Sequence, residues 1–233
     1  MTELAGRSAV VTGASRGIGR AIAASLANAG ARVAGCARRA DGGSFLDDLD
    51  AGQRQSCLFL ACDVRDGEQV NRFRDQVEAA FGGADVLVNN AGIVARASLL
   101  SLAEDTWNDV LATNLTGTFL VTKAFLPAMR SRRSGRIINL SSVAGRTGTP
   151  MLSAYCAAKH GVVGLTRSLA EELRDDGIQV NAICPGSVDT QMLGQGMPGA
   201  TAKMTTHDVA AVALFLASTA PVALTGACID VFG

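Results

Sequence analysis

Residues 9–19 have the sequence AVVTGASRGIG, in which a short β-favouring run comes directly before three glycines. Apolar residues then recur at helical spacing from Ile18 to Ala29, and Gly30 ends that helix. Glycines at a strand–helix junction let the backbone approach a pyrophosphate, whose negative charge the helix N-terminus favours. The stretch therefore predicts an α/β fold and a dinucleotide-binding turn, and a tight turn without a ligand is the alternative. The residues expected to contact the dinucleotide here are Gly13, Ser15, Arg16, Gly17, Ile18 and Gly19.

Strand-like and helix-like segments continue to alternate along the rest of the chain. Further strands are predicted at 32–37, 58–62, 84–88, 136–140, 179–183 and 227–231, and helices at 70–81, 106–129, 155–175 and 207–218. This alternation predicts a doubly wound Rossmann fold with a seven-stranded parallel sheet flanked by helices. No linker or repeat interrupts residues 1–233, so we expect a single domain that contains both the cofactor and the substrate sites. Surface loops are predicted at 41–44 and 194–200.

The composition excludes several classes of partner. Hydrophobic residues make up 48% of the 233 and charged residues 18%, which suits a parallel sheet covered on both faces. The 21 basic and 21 acidic residues cancel, and no basic run suggests nucleic acid or an anionic membrane. No signal-peptide pattern or apolar run of membrane-spanning length is present, so we expect a cytoplasmic protein.

Cysteine and histidine usage gives no sign of a metal site. The six cysteines are scattered in apolar segments without a Cys-x-x-Cys pair, as buried thiols of a cytosolic protein are. The two histidines, His160 and His207, lie far apart in the sequence. We therefore expect no bound metal.

The end of the second predicted strand favours one form of the cofactor. NAD sites place a carboxylate there for the ribose 2′-hydroxyl, whereas NADP sites need an arginine for the 2′-phosphate. This chain has Arg38 and Arg39, with no acid before Asp41. Arg38 together with Arg16 could clamp a phosphate, so we expect NADP(H). A solvated arginine pair is the alternative.

Polar residues also follow the third and fourth predicted strands. Asp63 and Val64 come after the third, and residues 89–92, Asn-Asn-Ala-Gly, come after the fourth. Ligands of such sheets bind at the carboxyl ends of strands, so both segments are expected to touch the cofactor, although each could be an ordinary cap or turn. Asn114 lies within a predicted helix, where a buried role and a solvent-facing one are equal alternatives.

Tyr155 and Lys159 are four residues apart, so on a helix their side chains share a face. A phenol has an unperturbed pKa of roughly 10, which a neighbouring ammonium lowers. The pair could therefore supply the proton that a carbonyl oxygen needs when a hydride reaches its carbon. A solvated pair on an amphipathic helix is the alternative.

Over essentially its whole length the chain resembles the short-chain dehydrogenase/reductase family, in its compact single-domain branch. The matching motifs occur in the family's order: the glycine turn, residues 89–92, Ser142, Tyr155, Lys159 and Pro185–Gly186. The resemblance implies that Tyr155 is the catalytic acid/base and that Lys159 lowers its pKa and holds the nicotinamide ribose. It further implies that Ser142 hydrogen-bonds the substrate oxygen and that Asn114 holds a water in a proton relay.

The same resemblance implies the remaining cofactor contacts. Asp63 and Val64 would contact the adenine. The other implied contacts, beside the fourth strand and around the nicotinamide, are Asn90, Ala91, Gly92, Pro185, Gly186, Val188 and Thr190.

Within the family, residues 12–21, 114–117, 135–139 and 161–164 are most similar to the 3-oxoacyl carrier-protein reductases of fatty acid biosynthesis. This implies an NADPH-dependent reductase of a ketone, a 3-oxoacyl thioester, with an acyl carrier protein as a possible partner. That subfamily docks its carrier protein through two basic positions. One of them matches Arg133, but the other falls at the acidic Asp176. The segment 192–203, where relatives carry a helical lid, contains three glycines and a proline, which disfavour a helix and predict an open, permissive pocket. The chain also stops at Gly233, slightly earlier than relatives.

Two rival functions remain open at this point. The first is an NADP(H)-linked alcohol dehydrogenase or ketoreductase that acts on free small molecules. The second is a non-catalytic regulatory protein that senses NADPH, which would be expected to have lost the tyrosine or the lysine. A glycine-turn methyltransferase is disfavoured because Ser142, Tyr155 and Lys159 occur together.

The helices at 106–129 and 155–175 carry more apolar positions than one sheet face needs. These positions are Phe119, Val121, Phe125 and Met129 in the first helix, and Val162, Val163, Leu165, Leu169 and Leu173 in the second. Family resemblance implies that the helix pair packs against its copy, which would bury an otherwise exposed apolar face. We therefore expect a homodimer or homotetramer, and a monomer whose sheet covers these residues is the alternative.

Overall fold

Seven parallel strands form one sheet in the part of the chain that this computed structural model describes, residues 3–40 and 43–233. In chain order they are β1 (Ser8–Thr12), β2 (Arg32–Ala37), β3 (Leu58–Ala61), β4 (Val86–Asn89), β5 (Gly135–Leu140), β6 (Ile178–Pro185) and β7 (Cys228–Val231). They lie in the order β3-β2-β1-β4-β5-β6-β7, and every neighbouring pair is parallel. The predicted α/β Rossmann fold is confirmed.

Helices connect the strands and cover both faces of the sheet. In the described residues they are α1 (Gly17–Asn28), α2 (Ala51–Gln55), α3 (Gly67–Phe81), α4 (Glu104–Leu111), α5 (Gly117–Arg132), α6 (Ser153–Glu172), α7 (Gln191–Gly196) and α8 (Thr206–Ala217). On one face, Ile22 and Leu26 of α1 pack with Val209 of α8. On the other, the rings of Phe73 and Phe125 meet edge to face at 6.0 Å. Because both faces are covered, every residue of β1 and β6 is buried.

The strand order fixes where a ligand can bind. After β1 the chain builds outward to β2 and β3, and it then returns to place β4 on the other side of β1. The connections that leave β1 and β4 therefore diverge, which opens a crevice at the carboxyl ends of these two strands. The glycine turn and residues 89–92 both lie at this crevice.

The helix predicted at 106–129 is not continuous. A π-helical turn, Ala112–Thr116, separates α4 from α5. Within it the Asn114 amide nitrogen donates to the carbonyls of Ile93 and Val110, at 2.9 and 2.8 Å. The wider turn thus accommodates a side chain that bonds to the backbone, as π-bulges at functional positions do. The apolar spacing alone could not reveal this turn.

The prediction that 192–203 disfavours a helix, and that 194–200 is a loop, is wrong in part because α7 runs to Gly196. The Thr190 hydroxyl caps its start by accepting from the Leu193 amide at 3.3 Å. Arg16 donates to the Gln191 side chain at 2.7 Å, and Arg96 donates to the Gly196 carbonyl at 3.2 Å. Contacts from distant segments thus support a helix that its glycines weaken.

Sequence reasoning missed the short helix α2 and a 3₁₀ turn at Phe45–Asp48. Both begin with a capping box, formed by Ser44 with Asp47 and by Asp50 with Gln53. That spacing was visible in the sequence and could have located both elements. Part of the loop predicted at 41–44, namely residues 41 and 42, lies outside the described residues.

The apolar helix residues expected to need a second copy are mostly covered within one chain. Val121, Phe125 and Met129 of α5 are buried, as are Val162, Val163 and Leu173 at and beside α6. Of the nine, Phe119 is the most exposed, at 45%. The argument from an unsatisfied apolar face is therefore wrong for most of these residues. The homodimer or homotetramer stays a prediction.

Candidate active site

A cleft of about 650 Å³ runs along the carboxyl ends of the central strands. It is lined by most of the residues predicted to bind the cofactor: Gly13, Ser15, Arg16, Gly17, Ile18, Gly19, Arg38, Asp63, Val64, Asn90, Ala91, Gly92, Tyr155, Lys159, Pro185 and Thr190. Gly186, Val188 and Ser142 line a smaller neighbouring cavity instead. Asn114 lies behind the cleft wall and lines neither cavity.

The glycine turn forms the floor of the cleft. Gly13 and Gly17 have φ angles of +70° and +58°, which favour glycine. A Cβ atom on Gly13 would lie 2.9 Å from the Asn90 amide nitrogen, and one on Gly19 would overlap the same amide. Asn90 fills this space because its amide nitrogen donates to the Thr12 and Gly13 carbonyls, at 2.9 and 3.2 Å. The side chain therefore ties the turn after β4 to the turn after β1.

Thr12 is a site residue that sequence reasoning missed. Its hydroxyl oxygen accepts from the backbone amides of Asn90 and Ala91, both at 3.0 Å. It thereby fixes the backbone beside the glycine turn. Its position at the end of β1 was the available signal, since polar residues at strand ends face the crevice.

Two arginines, Arg16 and Arg38, line the cleft near its outer end. Arg38 is exposed at the cleft edge just after β2, and Arg16 reaches across the turn to Gln191. Asp63 is engaged by Arg65, whose guanidinium lies 2.7 Å from the carboxylate and holds the pKa of that carboxyl below its usual range. Arg38 adds a smaller effect in the same direction. The outer end of the cleft thus combines a fixed carboxylate with two guanidinium groups that can meet an anion.

Tyr155 and Lys159 occupy successive turns at the start of α6, and both line the cleft. Burial raises the pKa of Tyr155 to about 12, while a hydrogen bond with Ser142 lowers it by a smaller amount. The Lys159 ammonium lies 5.6 Å from the centre of the Tyr155 ring and donates to the Leu140 carbonyl at 2.6 Å. The expected lowering of the phenol pKa by Lys159 is therefore not seen here, because burial dominates both groups and lowers the pKa of Lys159 to about 8.

Ser142 connects the end of β5 to the phenol. Its hydroxyl oxygen accepts from the Ala144 amide at 3.1 Å and so caps a short 3₁₀ turn, Val143–Gly145. The hydroxyl hydrogen is not used by this contact and can be donated into the smaller cavity, which Ser142 lines. Ser142 and Tyr155 together line the smaller cavity, so they form a pair of donors at one point.

The buried interpretation of Asn114 is confirmed, since the residue is 1% exposed. Its amide nitrogen is fully used by the two carbonyl contacts described above. The side-chain oxygen is buried and has no hydrogen-bond partner among the described residues. A Cβ atom on Gly92 would lie 2.6 Å from this oxygen. An acceptor in such a position suits a small donor such as water.

The described residues contain no group of three or more His, Cys, Asp or Glu side chains arranged to hold a metal. In the same residues no helix combines the length and apolar character needed to cross a membrane. All six cysteines are free thiols; Cys36, Cys57, Cys62 and Cys184 are buried, and Cys156 and Cys228 are partly exposed.

Comparison with known proteins identifies the family. The family model described as short chain dehydrogenase matches residues 7–199. The chain is 43% identical to the 3-oxoacyl-acyl-carrier-protein reductase of Haemophilus influenzae over 191 residues, covering 80% of this chain and 76% of that protein. It is 38% identical to the Vibrio harveyi protein of the same name, covering 99% and 98%.

Among solved structures, levodione reductase superposes with a TM-score of 0.88 at 30% identity, covering 98% of this chain and 96% of that one. The family model and the relatives show the family, and the solved structure shares the fold. The chain belongs to the short-chain dehydrogenase family, whose members are oxidoreductases that use a nicotinamide cofactor.

Proposed function

We propose that this protein is an NADPH-dependent carbonyl reductase that reduces a 3-oxoacyl thioester. The observation that carries the proposal is the meeting of Ser142 and Tyr155 where the two cavities adjoin, with Lys159 on the next turn of α6. The names of the 3-oxoacyl-acyl-carrier-protein reductases to which it is about 40% identical support the thioester as substrate.

The residues present fit a dinucleotide with a 2′-phosphate. The glycine turn lies at the N-terminus of α1, whose backbone amides favour a pyrophosphate, and Asn90 fills the space beside Gly13 and Gly19 that a side chain would need. Arg38 and Arg16 would hold the 2′-phosphate, with Arg16 using guanidinium donors other than the one that meets Gln191. Asp63 and Val64 would contact the adenine, and Lys159 the nicotinamide ribose. When bound, NADPH supplies the hydride for the ketone carbon.

Tyr155 acts as the proton donor in this proposal. With a pKa of about 12 the phenol is fully protonated at neutral pH and can give its proton to the substrate oxygen. Ser142 donates a hydrogen bond to the same oxygen and so positions it beside the phenol. The buried oxygen of Asn114 would hold a water that helps return a proton to Tyr155.

An acyl carrier protein remains a possible partner. The acidic residue at the second docking position, Asp176, lies 2.8 Å from Arg130, and its side chain is only 19% exposed. Arg133 and Arg130 both lie at the end of α5, beside it. Because Asp176 is paired, it repels an acidic carrier less than the sequence alone suggested.

Reduction of free small ketones is the second candidate. It is favoured by the similarity to levodione reductase and by the small apolar cavity beside Tyr155. A regulatory role without turnover is disfavoured because Ser142, Tyr155 and Lys159 are all kept and brought together.

Replacing Tyr155 with phenylalanine tests the proposal. The change removes the proton donor and little volume, so kcat for a 3-oxoacyl thioester should fall at least about a hundredfold while NADPH affinity stays nearly constant. Cofactor oxidation measures the rate, and NADPH fluorescence measures the affinity. A variant that kept near-wild-type turnover would show that Tyr155 is not the donor.

A further inference from the structure

The smaller cavity, which we call the side slot, has a volume of about 120 Å³ and opens beside the dinucleotide-sized cleft. Tyr155 and Ser142 both line it, and Tyr155 also lines the cleft, so the slot adjoins the place where the reducible carbonyl would lie. Its apolar walls are formed by Val94, Val143, Leu152, Val188, Met192 and Met197. Among the described residues, no acidic or basic side chain lines it. The slot therefore suits an uncharged alkyl group.

One wall of the slot is held in place at both ends. This wall is α7. The side chain of its first residue, Gln191, accepts from Arg16 at 2.7 Å, and the carbonyl of its last residue, Gly196, accepts from Arg96 at 3.2 Å. Gly196 is buried, and a Cβ atom there would lie 3.1 Å from a methyl group of Val94. The helix backbone thus packs directly on Val94. Because the two segments are in contact, they bound the slot on this side, while the slot stays partly open to solvent elsewhere.

We infer that the side slot receives the alkyl group on the far side of the ketone and that Val94 sets the longest group accepted. The inference rests on the proposed function for the identity of the substrate. A dry protein cavity of about 150 Å³ holds a benzene ring, so a slot of this size accommodates about four to five carbons. The thioester side of the substrate then points into the open cleft. Chains up to a 3-oxooctanoyl group fit, and longer ones do not.

The test measures kcat/KM for N-acetylcysteamine thioesters of 3-oxobutanoate, 3-oxohexanoate, 3-oxooctanoate, 3-oxodecanoate and 3-oxododecanoate. We expect the value to rise by up to roughly fourfold per added methylene while the chain fits. It should then fall about tenfold or more at 3-oxodecanoate, because a longer chain would press against the boundary that Val94 forms with α7, and overpacking is costly. A parallel series of 2-alkanones from four to twelve carbons is measured alongside.

Two substitutions of Val94 should move the limit in opposite directions. Val94→Ala removes two methyl groups and should restore a high kcat/KM for the 3-oxodecanoate thioester. Val94→Ile adds one methyl group, and kcat/KM should then fall already at the 3-oxooctanoate thioester. The matched control is Val222→Ala, since Val222 is 71% exposed and lines neither cavity. Thermal melting reports whether each variant folds, and either Val94 variant alone suffices for the test.

The outcomes separate this inference from the function on which it rests. A chain-length limit that moves with Val94 and not with Val222 supports the slot. Thioesters reduced equally well at every length overturn the slot but leave the proposed reductase intact. Alkanones that show the limit while no thioester reacts support the slot and overturn the thioester as substrate. If no ketone of either series is reduced, both are overturned.

Discussion

Replacing Lys159 with methionine is expected to stabilise the fold while it abolishes activity. The side chain is 4% exposed, and its ammonium donates to the Leu140 carbonyl at 2.6 Å. Burial lowers the pKa of this group to about 8, which means that the folded protein holds the charged form at a cost. Methionine has a similar length and no charge, so it should fill the same space without that cost.

The size of the effect follows from the two pKa values. A free lysine has a pKa of roughly 10.4, and the fall to about 8 corresponds to about 3 kcal/mol of destabilisation when the group is protonated. Losing the hydrogen bond to Leu140 offsets about 1 kcal/mol of this gain. We therefore expect Lys159→Met to raise the free energy of unfolding by about 2 kcal/mol near neutral pH.

The gain should depend on pH in a defined direction. Below about pH 8 Lys159 is charged in both the folded and the unfolded wild type, so the full cost is present. Between about pH 8 and pH 10.4 the unfolded chain binds more protons at Lys159 than the folded chain does, so the stability of the wild type rises with pH. The advantage of the methionine variant should therefore shrink across this window and turn above it into a deficit of about 1 kcal/mol, since a neutral lysine still donates to Leu140.

Urea unfolding at matched protein concentration, near pH 7 and near pH 10, measures the stability gain and its dependence on pH. Lys203→Met is the control, because Lys203 is exposed and its replacement should change stability by no more than about 0.5 kcal/mol. A Lys159→Met protein less stable than wild type at pH 7, or a gain that is the same at pH 10, would refute the reasoning.

Three further predictions concern the cofactor, the assembly and the direction of the reaction. Arg38→Asp should lower the preference for NADPH over NADH at least about tenfold, because a carboxylate repels the 2′-phosphate and can accept a hydrogen bond from the NAD ribose. Measured Kd values for both cofactors check this, and a wild-type protein that already prefers NADH would contradict it. Light scattering at micromolar concentration should report a dimer or tetramer, and a mass near the 23.9 kDa of one chain would reject this. Oxidation of the alcohol product with NADP⁺ should accelerate as pH rises from 7 towards 10. The reason is that the phenolate fraction of Tyr155 grows about tenfold per pH unit below its pKa of about 12. An oxidation rate that does not change with pH would show that Tyr155 is not the base.

The strands and the glycine turn could be predicted because their determinants are local. A run such as Val86–Asn89 is buried on both faces and is therefore apolar throughout until its last residue, which marks the crevice. The turn at Gly13 and Gly17 needs positive φ angles that the glycines reveal directly. For these elements the sequence pattern and the physical requirement are the same.

Other features depend on residues that are distant in the chain. Gln191 meets Arg16 from 175 positions away, and that contact helps to hold a helix that its own glycines disfavour. The π-helical turn depends on a carbonyl of Ile93 that accepts from Asn114. Neither contact leaves a mark in the local spacing of apolar residues, so propensity alone predicts a loop in one case and a continuous helix in the other.

The Tyr155–Lys159 pair shows how burial can reverse an electrostatic expectation. Spacing placed the two side chains on one face correctly, and an ammonium near a phenol lowers its pKa if both are hydrated alike. Here desolvation acts on each group towards its neutral form, so the phenol is harder to ionise and the lysine easier to neutralise. A neutral phenol is the form that donates a proton, whereas oxidation of an alcohol needs the phenolate. At neutral pH the buried pair therefore keeps the phenol in the protonated form that the proposed reduction uses, through the same desolvation that makes Lys159 costly to the fold.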